Sequence, residues 1–128
     1  MADATLENLR LELRRGSLIL AVLAELRAEQ YGYTLRKSLA AGGVEIEESA
    51  LYPMLRRLES QGLLTSTWRE EDSRNKRFYR LTREGKTVFS QLIDEWRALN
   101  ASLERIVGDG RSHGSAASVS QRRRNPAA

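Results

Sequence analysis

Apolar residues near the carboxyl end of the chain recur with a spacing that few folds accommodate. Phe89, Leu92, Trp96, Leu99, Leu103 and Ile106 follow one another at intervals of 3, 4, 3, 4 and 3 residues. This spacing predicts an a/d seam along one helix for nearly three heptads. From Glu84 to Val107 such a helix would be about 36 Å long, which is more than a small preceding domain can cover.

The uncovered part of this seam requires an apolar partner. A second copy of the chain carries the same face, so the seam predicts a homodimer. The alternative is that the helix folds back on its own domain and on an N-terminal helix. Leu6, Leu9 and Leu13, spaced i, i+3 and i+7, predict that N-terminal helix, which we expect Arg14-Arg15-Gly16 to interrupt.

Composition excludes several classes of chemistry. Among its 128 residues the chain has no cysteine and a single histidine, His113, which excludes disulfides, thiolate metal sites and a Ser-His-Asp triad. No glycine loop or carboxylate pair typical of an enzyme is present, so we expect no catalysis, metal or cofactor. No apolar run approaches the roughly 20 residues of a membrane span, and no signal peptide is visible. The expected location is the cytoplasm.

Shorter apolar patterns upstream predict three further helices. They are marked by Leu18–Leu26, by Leu35 and Leu39, and by Leu51, Met54, Leu55 and Leu58. The first is apolar nearly all round and is expected at the centre of the core. Gly42-Gly43 and Gly62 are expected to end the second and third helices. Residues 30–33 are predicted to form a turn, and Pro53 to fall in or near the first turn of the third helix.

The segment over residues 63–82 is rich in β-forming residues and predicts a hairpin. Leu64–Trp68 and Arg77–Leu81 flank a polar turn over Glu70–Asn75, and Thr82 is expected to cap the long helix that follows. Compact helices followed by a hairpin predict a mainly α fold with a small β-hairpin, the winged helix-turn-helix. The predicted units are residues 1–82, the long helix over 83–108 and a disordered basic tail over 109–128.

Basic charge is concentrated in the helix and hairpin. The formal net charge is +4, and residues 51–83 hold eight basic and four acidic side chains. A local basic excess favours a polyanionic partner, and double-stranded DNA fits a helix framed by other helices. Arg122-Arg123-Arg124 in the tail has two interpretations, contact with nucleic acid or a solubilising terminus.

Candidate DNA contacts lie on the outward side of this helix, on the hairpin and on the helix before it. They are Tyr33, Ser49, Tyr52, Arg56, Arg57, Arg74, Lys76 and Arg77. Arginine pairs with guanine or phosphate, and tyrosine and serine hydroxyls bind phosphate. Packing is the alternative for the two tyrosines, and a solvated surface charge is the alternative for Arg57 and the hairpin cations. Trp68 and Tyr79 are expected to pack beneath the hairpin.

Three stretches resemble the PadR family of transcriptional regulators. Arg15–Leu23 with Tyr31–Leu35 resembles the opening of that family, and Leu51–Leu63 resembles its recognition helix. Arg77–Gly85 is similar to its second wing strand and the entry to its C-terminal helix. The order and spacing agree over roughly residues 9–107, and the single long C-terminal helix resembles the subgroup with a short C-terminal region.

The resemblance implies a homodimeric repressor that binds an inverted repeat in a promoter. It implies a dimer interface made by the N- and C-terminal helices, at Leu6, Leu9, Leu13, Phe89, Leu92, Trp96, Leu99, Leu103 and Ile106. It also implies release from DNA by a small aromatic ligand stacked on Trp96, whereas the spacing alone places Trp96 in a core or interface. The competing hypothesis is a protein-interaction module that uses the winged helix as a scaffold without specific DNA binding.

Overall fold

A computed structural model gives the structure of residues 2–111 and the side chains of residues 3–108. The elements are α1 (Ala2–Glu25), β1 (Gln30–Tyr31), α2 (Gly32–Ala41), α3 (Glu48–Ser60), β2 (Leu64–Glu71), β3 (Arg74–Leu81) and α4 (Arg83–Arg111). The predicted fold class is confirmed, since the chain is mainly helical with a small antiparallel sheet in the order β1-β3-β2. Residues up to Leu92 form one compact unit, and α4 from Ile93 onward forms a second.

The ends of the chain differ in part from the expectation. α4 continues to Arg111, beyond the predicted end at residue 108. The predicted disorder of the rest of the tail, including His113 and the arginine triplet, concerns residues outside the described part. Over residues 2–111, no helix has the length and mean hydropathy that a membrane span requires.

A single helix occupies the N-terminal segment, and the predicted interruption at Arg14-Arg15-Gly16 is wrong. α1 runs without a break from Ala2 to Glu25. A glycine inside a helix costs only about 1 kcal/mol relative to alanine, so the packed carboxyl half of α1 can carry the helix through Gly16. Residues 3–17 are exposed, whereas Val22 and Leu23 are fully buried.

One apolar cluster holds the first unit together, and the inward stripes predicted for the three helices are confirmed. Its buried members are Val22, Leu23, Leu26, Leu35, Leu39, Leu51, Leu55, Leu58, Leu64, Tyr79 and Leu81. Met54 and Tyr52 pack against this cluster and are half-buried. The stripe on α3 therefore leaves the opposite side of that helix to solvent.

A short strand replaces the turn predicted over residues 30–33. Gln30 pairs with Tyr79 and Tyr31 with Phe78, which adds β1 to the edge of the hairpin. The Tyr31 ring meets the Phe78 ring edge-on at 5.2 Å between centroids. The hydrogen-bonding partner of this strand is distant in sequence, so local spacing carried no sign of it.

The hairpin is tighter than predicted. Pairing runs from Leu64 with Leu81 to Glu71 with Arg74, so only Asp72 and Ser73 form the turn and the predicted six-residue turn is wrong. Both turn residues have positive φ, 53° and 64°, which is the geometry of a type I′ turn. This turn matches the right-handed twist of the strands, so the ladder continues to its ends.

The ends of the helices around the hairpin follow the predicted signals. Gly62 has a φ of +84°, and Leu63 N–H donates to the Leu58 carbonyl at 3.0 Å, the bond that closes a Schellman motif. Thr82 caps α4, because its Oγ1 accepts a hydrogen bond from Gly85 N–H at 2.9 Å. Pro53 was expected in or near the first turn of α3, but the helix starts at Glu48 and Pro53 lies one turn further in.

Gly85 and Gly16 should respond in opposite directions to the same substitution. A Cβ at Gly85 would overlap the Leu63 carbonyl oxygen, whereas a Cβ at Gly16 meets no atom within 4 Å. We expect Gly85→Ala to lower the free energy of unfolding by about 1–3 kcal/mol and Gly16→Ala to raise it by about 1 kcal/mol. Urea unfolding of both variants checks this, and a change of the same sign in both would contradict the packing.

Candidate nucleic-acid interface

The outward side of α3 presents two arginines whose charges are available. Arg56 and Arg57 are exposed, and neither forms an ion pair with any residue between 3 and 108. Ser49 is exposed in the first turn of the same helix. The buried stripe of α3 fixes this side toward solvent, so the two guanidinium groups can meet an anionic partner.

Tyr52 links α3 to α2. Its ring is half-buried against the core, and its hydroxyl lies so close to Gly32 that a Cβ there would overlap it. The alternative to DNA contact for Tyr52 was packing against Tyr33 or the base of the hairpin, and the close contact that the structure shows is with Gly32. Gly32 is therefore required by the close approach of this ring.

An aromatic and basic pair stands on the outer side of α2. The Tyr33 ring is 57% exposed and stacks on Tyr31 at 6.4 Å between centroids. Lys37 places its Nζ 5.3 Å from the centre of the Tyr33 ring. Sequence reasoning missed Lys37, and its position four residues after Tyr33 on a helix is the signal that could have found it.

The three basic residues of the hairpin do not share one environment. Arg74 is exposed beside the turn and makes no ion pair within the described part of the chain. Lys76 lies 3.7 Å from carboxylate oxygens of both Glu71 and Asp72, and donates to the Tyr31 hydroxyl at 3.4 Å. Desolvation lowers the pKa of Lys76, but Tyr31 and the two carboxylates outweigh it, so the pKa lies above 10.5. Lys76 is thus protonated, and the carboxylates of Glu71 and Asp72 already offset its charge.

Arg77 reaches from the hairpin back to α3. Its guanidinium donates to Glu59 Oε1 at 3.0 Å and to Ser66 Oγ at 2.9 Å. Ser66 in turn donates to Glu59 Oε2 at 2.7 Å. These bonds close a triangle between α3, β2 and β3, which fixes the angle between the helix and the hairpin.

Removing the Glu59 carboxylate should loosen this junction. In Glu59→Ala the half-buried guanidinium of Arg77 loses its charged acceptor, and we expect the free energy of unfolding to fall by about 1–2 kcal/mol. Glu70→Ala removes an exposed carboxylate from the hairpin and should change it by less than about 0.5 kcal/mol. Urea unfolding measures both, and equal effects would show that the triangle adds nothing.

Trp68 and Tyr79 were both expected to pack beneath the hairpin, but the structure buries only one of them. Tyr79 is 3% exposed, as predicted, whereas Trp68 is 61% exposed and that prediction is wrong. Burial raises the pKa of the Tyr79 phenol above 10.0, although Arg77 opposes this. β2 is exposed from Thr67 onward, because the outer half of the hairpin extends beyond the elements that could cover Trp68.

Of the apolar residues in the predicted seam on α4, the first lies against the core and the others lie at the surface. Phe89 packs against the core, with the Arg27 guanidinium 5.5 Å from its ring centre. The other members of the seam are exposed: Leu92, Trp96, Leu99, Leu103 and Ile106, with Val107 beside them. Leu6, Leu9, Leu11 and Leu13 of α1 are exposed as well. Large apolar side chains in such rows indicate surfaces made for a partner.

Helices α1, α2 and α3 pack around one core, and the hairpin of β2 and β3 follows them as a two-stranded wing. Together with the exposed basic side on the helix before the wing, this arrangement defines a winged helix-turn-helix protein of the kind that binds DNA. The chain belongs to the transcriptional regulator PadR-like family, whose family profile matches residues 19–91. The resemblance noted in the sequence is thereby confirmed.

Individual relatives agree with this assignment. Transcriptional regulator Rv3488 of Mycobacterium tuberculosis is 38% identical over 85 residues, which are 66% of this chain and 76% of the relative. A crystal structure of a PadR family transcriptional regulator from Eggerthella lenta is 43% identical, with a TM-score of 0.75 over 83% of this chain and 95% of that one. Bacillus subtilis PadR in complex with operator DNA is 26% identical, with a TM-score of 0.56 over 60% of this chain and 45% of that one.

Proposed function

We propose that this regulator is a homodimeric repressor that binds an inverted repeat in a promoter through α3 and the wing. The observation that carries the proposal is the pair Arg56 and Arg57, exposed and without an ion-pair partner within residues 3–108, on the outward side of α3. The relative from Bacillus subtilis that has been seen with operator DNA supports DNA as the partner.

In the proposed complex, each exposed side chain contacts the part of the DNA that its position allows it to reach. Arg56 enters the major groove and pairs with a guanine, with Ser49 nearby on the same helix. Arg57 and Arg74 contact phosphates on either side of the groove. Tyr33 and Lys37, both on α2, contact the sugar–phosphate backbone of the DNA. The exposed part of Tyr52 adds to this surface. Lys76 and Arg77 hold the wing in position, since carboxylates already offset their charges.

Dimerisation would supply the second α3 helix that an inverted repeat requires. The exposed apolar rows of α4 and α1 would be covered by a second copy, and a two-fold axis would relate two α3 helices. Two recognition helices related in this way read half-sites of opposite orientation about one turn of DNA apart. An inverted repeat is the target that such a dimer requires.

A small planar aromatic ligand at the dimer interface would release the repressor from DNA. Trp96 is 44% exposed on the apolar face of α4, where an indole can stack on a planar ring. Titration with planar aromatic compounds should change tryptophan fluorescence in Trp68→Ala and leave it unchanged in Trp96→Ala. The reverse pattern would move the ligand to the wing.

A gel shift tests the DNA-binding proposal. Duplex DNA from the region next to the gene itself should be retarded at low salt, and a scrambled duplex should compete poorly. The absence of a shift at low salt, with competitor DNA omitted, would contradict the proposal. Equal binding of both duplexes would favour the alternative function, a protein-interaction module whose docking face is the exposed row on α4.

A further inference from the structure

The loop that leads into α3 is held by one arginine from each of the two preceding helices. Arg14 of α1 donates from Nη2 to the Glu45 carbonyl at 2.8 Å. Arg36 of α2 donates from Nε to the Ile46 carbonyl at 3.4 Å and from Nη1 to the Glu48 carboxylate at 3.2 Å. Two consecutive carbonyls of the loop and the first residue of α3 are therefore bonded to side chains from outside the loop.

α3 has no side-chain cap at its amino end, the end that carries Ser49. Glu47 occupies the N-cap position in an extended conformation, and its side chain makes no capping hydrogen bond. Capping contacts are what normally fix the angle at which the chain enters a helix. On the inner side of the loop, Val44 and Ile46 pack against the apolar cluster. The entry to α3 thus depends on this apolar packing and on the two arginines.

Arg14 differs from Arg36 in the helix that carries it. Residues 3–17 of α1 are exposed. Within residues 3–108, the bond from Arg14 to Glu45 is the one side-chain hydrogen bond that joins this half of α1 to another segment. The same half of α1 carries the apolar row that the proposed dimer would cover. A second copy that holds this part of α1 in place would therefore also hold the loop before α3, through Arg14.

We propose that Arg14 is a positioning residue for operator recognition, whose bond to the Glu45 carbonyl links the dimer-forming half of α1 to the entry of α3. Through this link the dimer interface sets the separation of the two α3 helices. The inference rests on the proposed dimer and its inverted repeat, and it adds a residue that acts through the loop without touching DNA. A dimer linked in this way accepts one spacing between its half-sites, and weakening the link should broaden the accepted spacing.

The spacing between half-sites provides the test. The probe is the fluorescein-labelled promoter duplex, with its half-sites located by footprinting, and the same duplex with one base pair inserted between the half-sites. Anisotropy titrations of the full-length protein give its affinity for each duplex. The ratio of the two affinities measures spacing selectivity, because a smaller folded fraction of the protein would lower both affinities by the same factor.

Arg14→Ala should lower this ratio by about fivefold, the factor that corresponds to the net contribution of one hydrogen bond. Arg15→Ala is the matched control, because Arg15 is also exposed and its side chain makes no hydrogen bond or ion pair with residues 3–108. The control should keep the ratio of the wild type. Arg14→Lys retains a charged donor for the same carbonyl and should recover part of the ratio.

The slope of log affinity against log salt separates positioning from direct contact with DNA. Both alanine variants should keep the slope of the wild type, and a decrease of about two in Arg14→Ala alone would make Arg14 a phosphate contact and overturn the positioning role.

The remaining outcomes separate this inference from the proposed function. If the wild type binds the operator but Arg14→Ala keeps the spacing ratio, or Arg15→Ala loses it equally, the inference is overturned and DNA binding stands. A wild type that binds both spacings equally also overturns the link. A wild type that binds neither duplex overturns the proposed function as well.

Discussion

Affinity for the operator should fall by about 10³–10⁵-fold when salt is raised from 50 to 200 mM, if the dimer neutralises roughly 6–10 phosphates. The exposed cations that the structure leaves available on the binding side are Lys37, Arg56, Arg57 and Arg74. Arg56 is assigned to a base, so two copies each of Lys37, Arg57 and Arg74 bring the dimer to the lower end of this range. Each cation that meets a phosphate releases a condensed counterion, and the release is less favourable at high salt. Anisotropy titrations of labelled operator at several salt concentrations measure the slope.

Two variants connect this slope to particular side chains. Arg74→Ala removes one phosphate contact per protomer and should reduce the slope by about two. The double variant Glu59→Gln with Arg77→Gln removes a neutralised pair, so it should weaken binding with little change in slope. A flat salt response in the wild type would contradict the assignment of these cations. Equal changes of slope in the two variants would contradict the distinction between Arg74 and Arg77.

The double variant Leu99→Glu with Leu103→Glu should be a folded monomer with greatly reduced operator affinity. Both leucines are exposed in the single chain, at 69% and 54%, so the substitutions should leave the fold of the protomer intact. In a dimer they would place carboxylates in an apolar seam, where an unpaired charge costs several kcal/mol. Loss of the second half-site should lower affinity for the inverted repeat by about 10²–10⁴-fold.

Sedimentation equilibrium gives the mass on which this prediction depends. The wild type should have twice the 14.5 kDa of one chain, and the double variant should have the mass of one chain. Ala98→Glu with Ala101→Glu adds the same charge to exposed positions of α4 away from the seam, and this control should remain dimeric. A monomeric wild type, or dissociation of both variants alike, would overturn the proposed interface.

The helices were predictable from local signals. Leu51, Leu55 and Leu58 gave the inner side of α3 by spacing alone, Gly62 gave its end and Thr82 gave the start of α4. These signals are local because a cap or an amphipathic stripe acts within one or two helical turns. The helix interruption predicted at Gly16 was wrong, because the packing of Val22 and Leu23 outweighs the small helix preference lost at one glycine.

Contacts between distant segments were not predictable. β1 exists because Gln30 meets Tyr79, and no local pattern specifies that pairing. Lys76 and Arg77 look alike in the sequence as basic wing residues, yet each is paired with carboxylates that only the fold brings near. The exposure of Trp68 depends on how far the hairpin extends past α3, and this length is a property of the assembled unit.

Operator binding by Arg56→Ala, compared with Arg97→Ala, tests the central claim most directly. Both arginines are exposed, but Arg56 lies on α3 whereas Arg97 lies on α4 beside Asp94. We expect Arg56→Ala to lose about 1–3 kcal/mol of binding free energy and to relax the preference for one base pair in each half-site. Arg97→Ala should bind as the wild type does. Unchanged affinity and base preference in Arg56→Ala, or an equal loss in Arg97→Ala, would contradict DNA recognition by the outward side of α3.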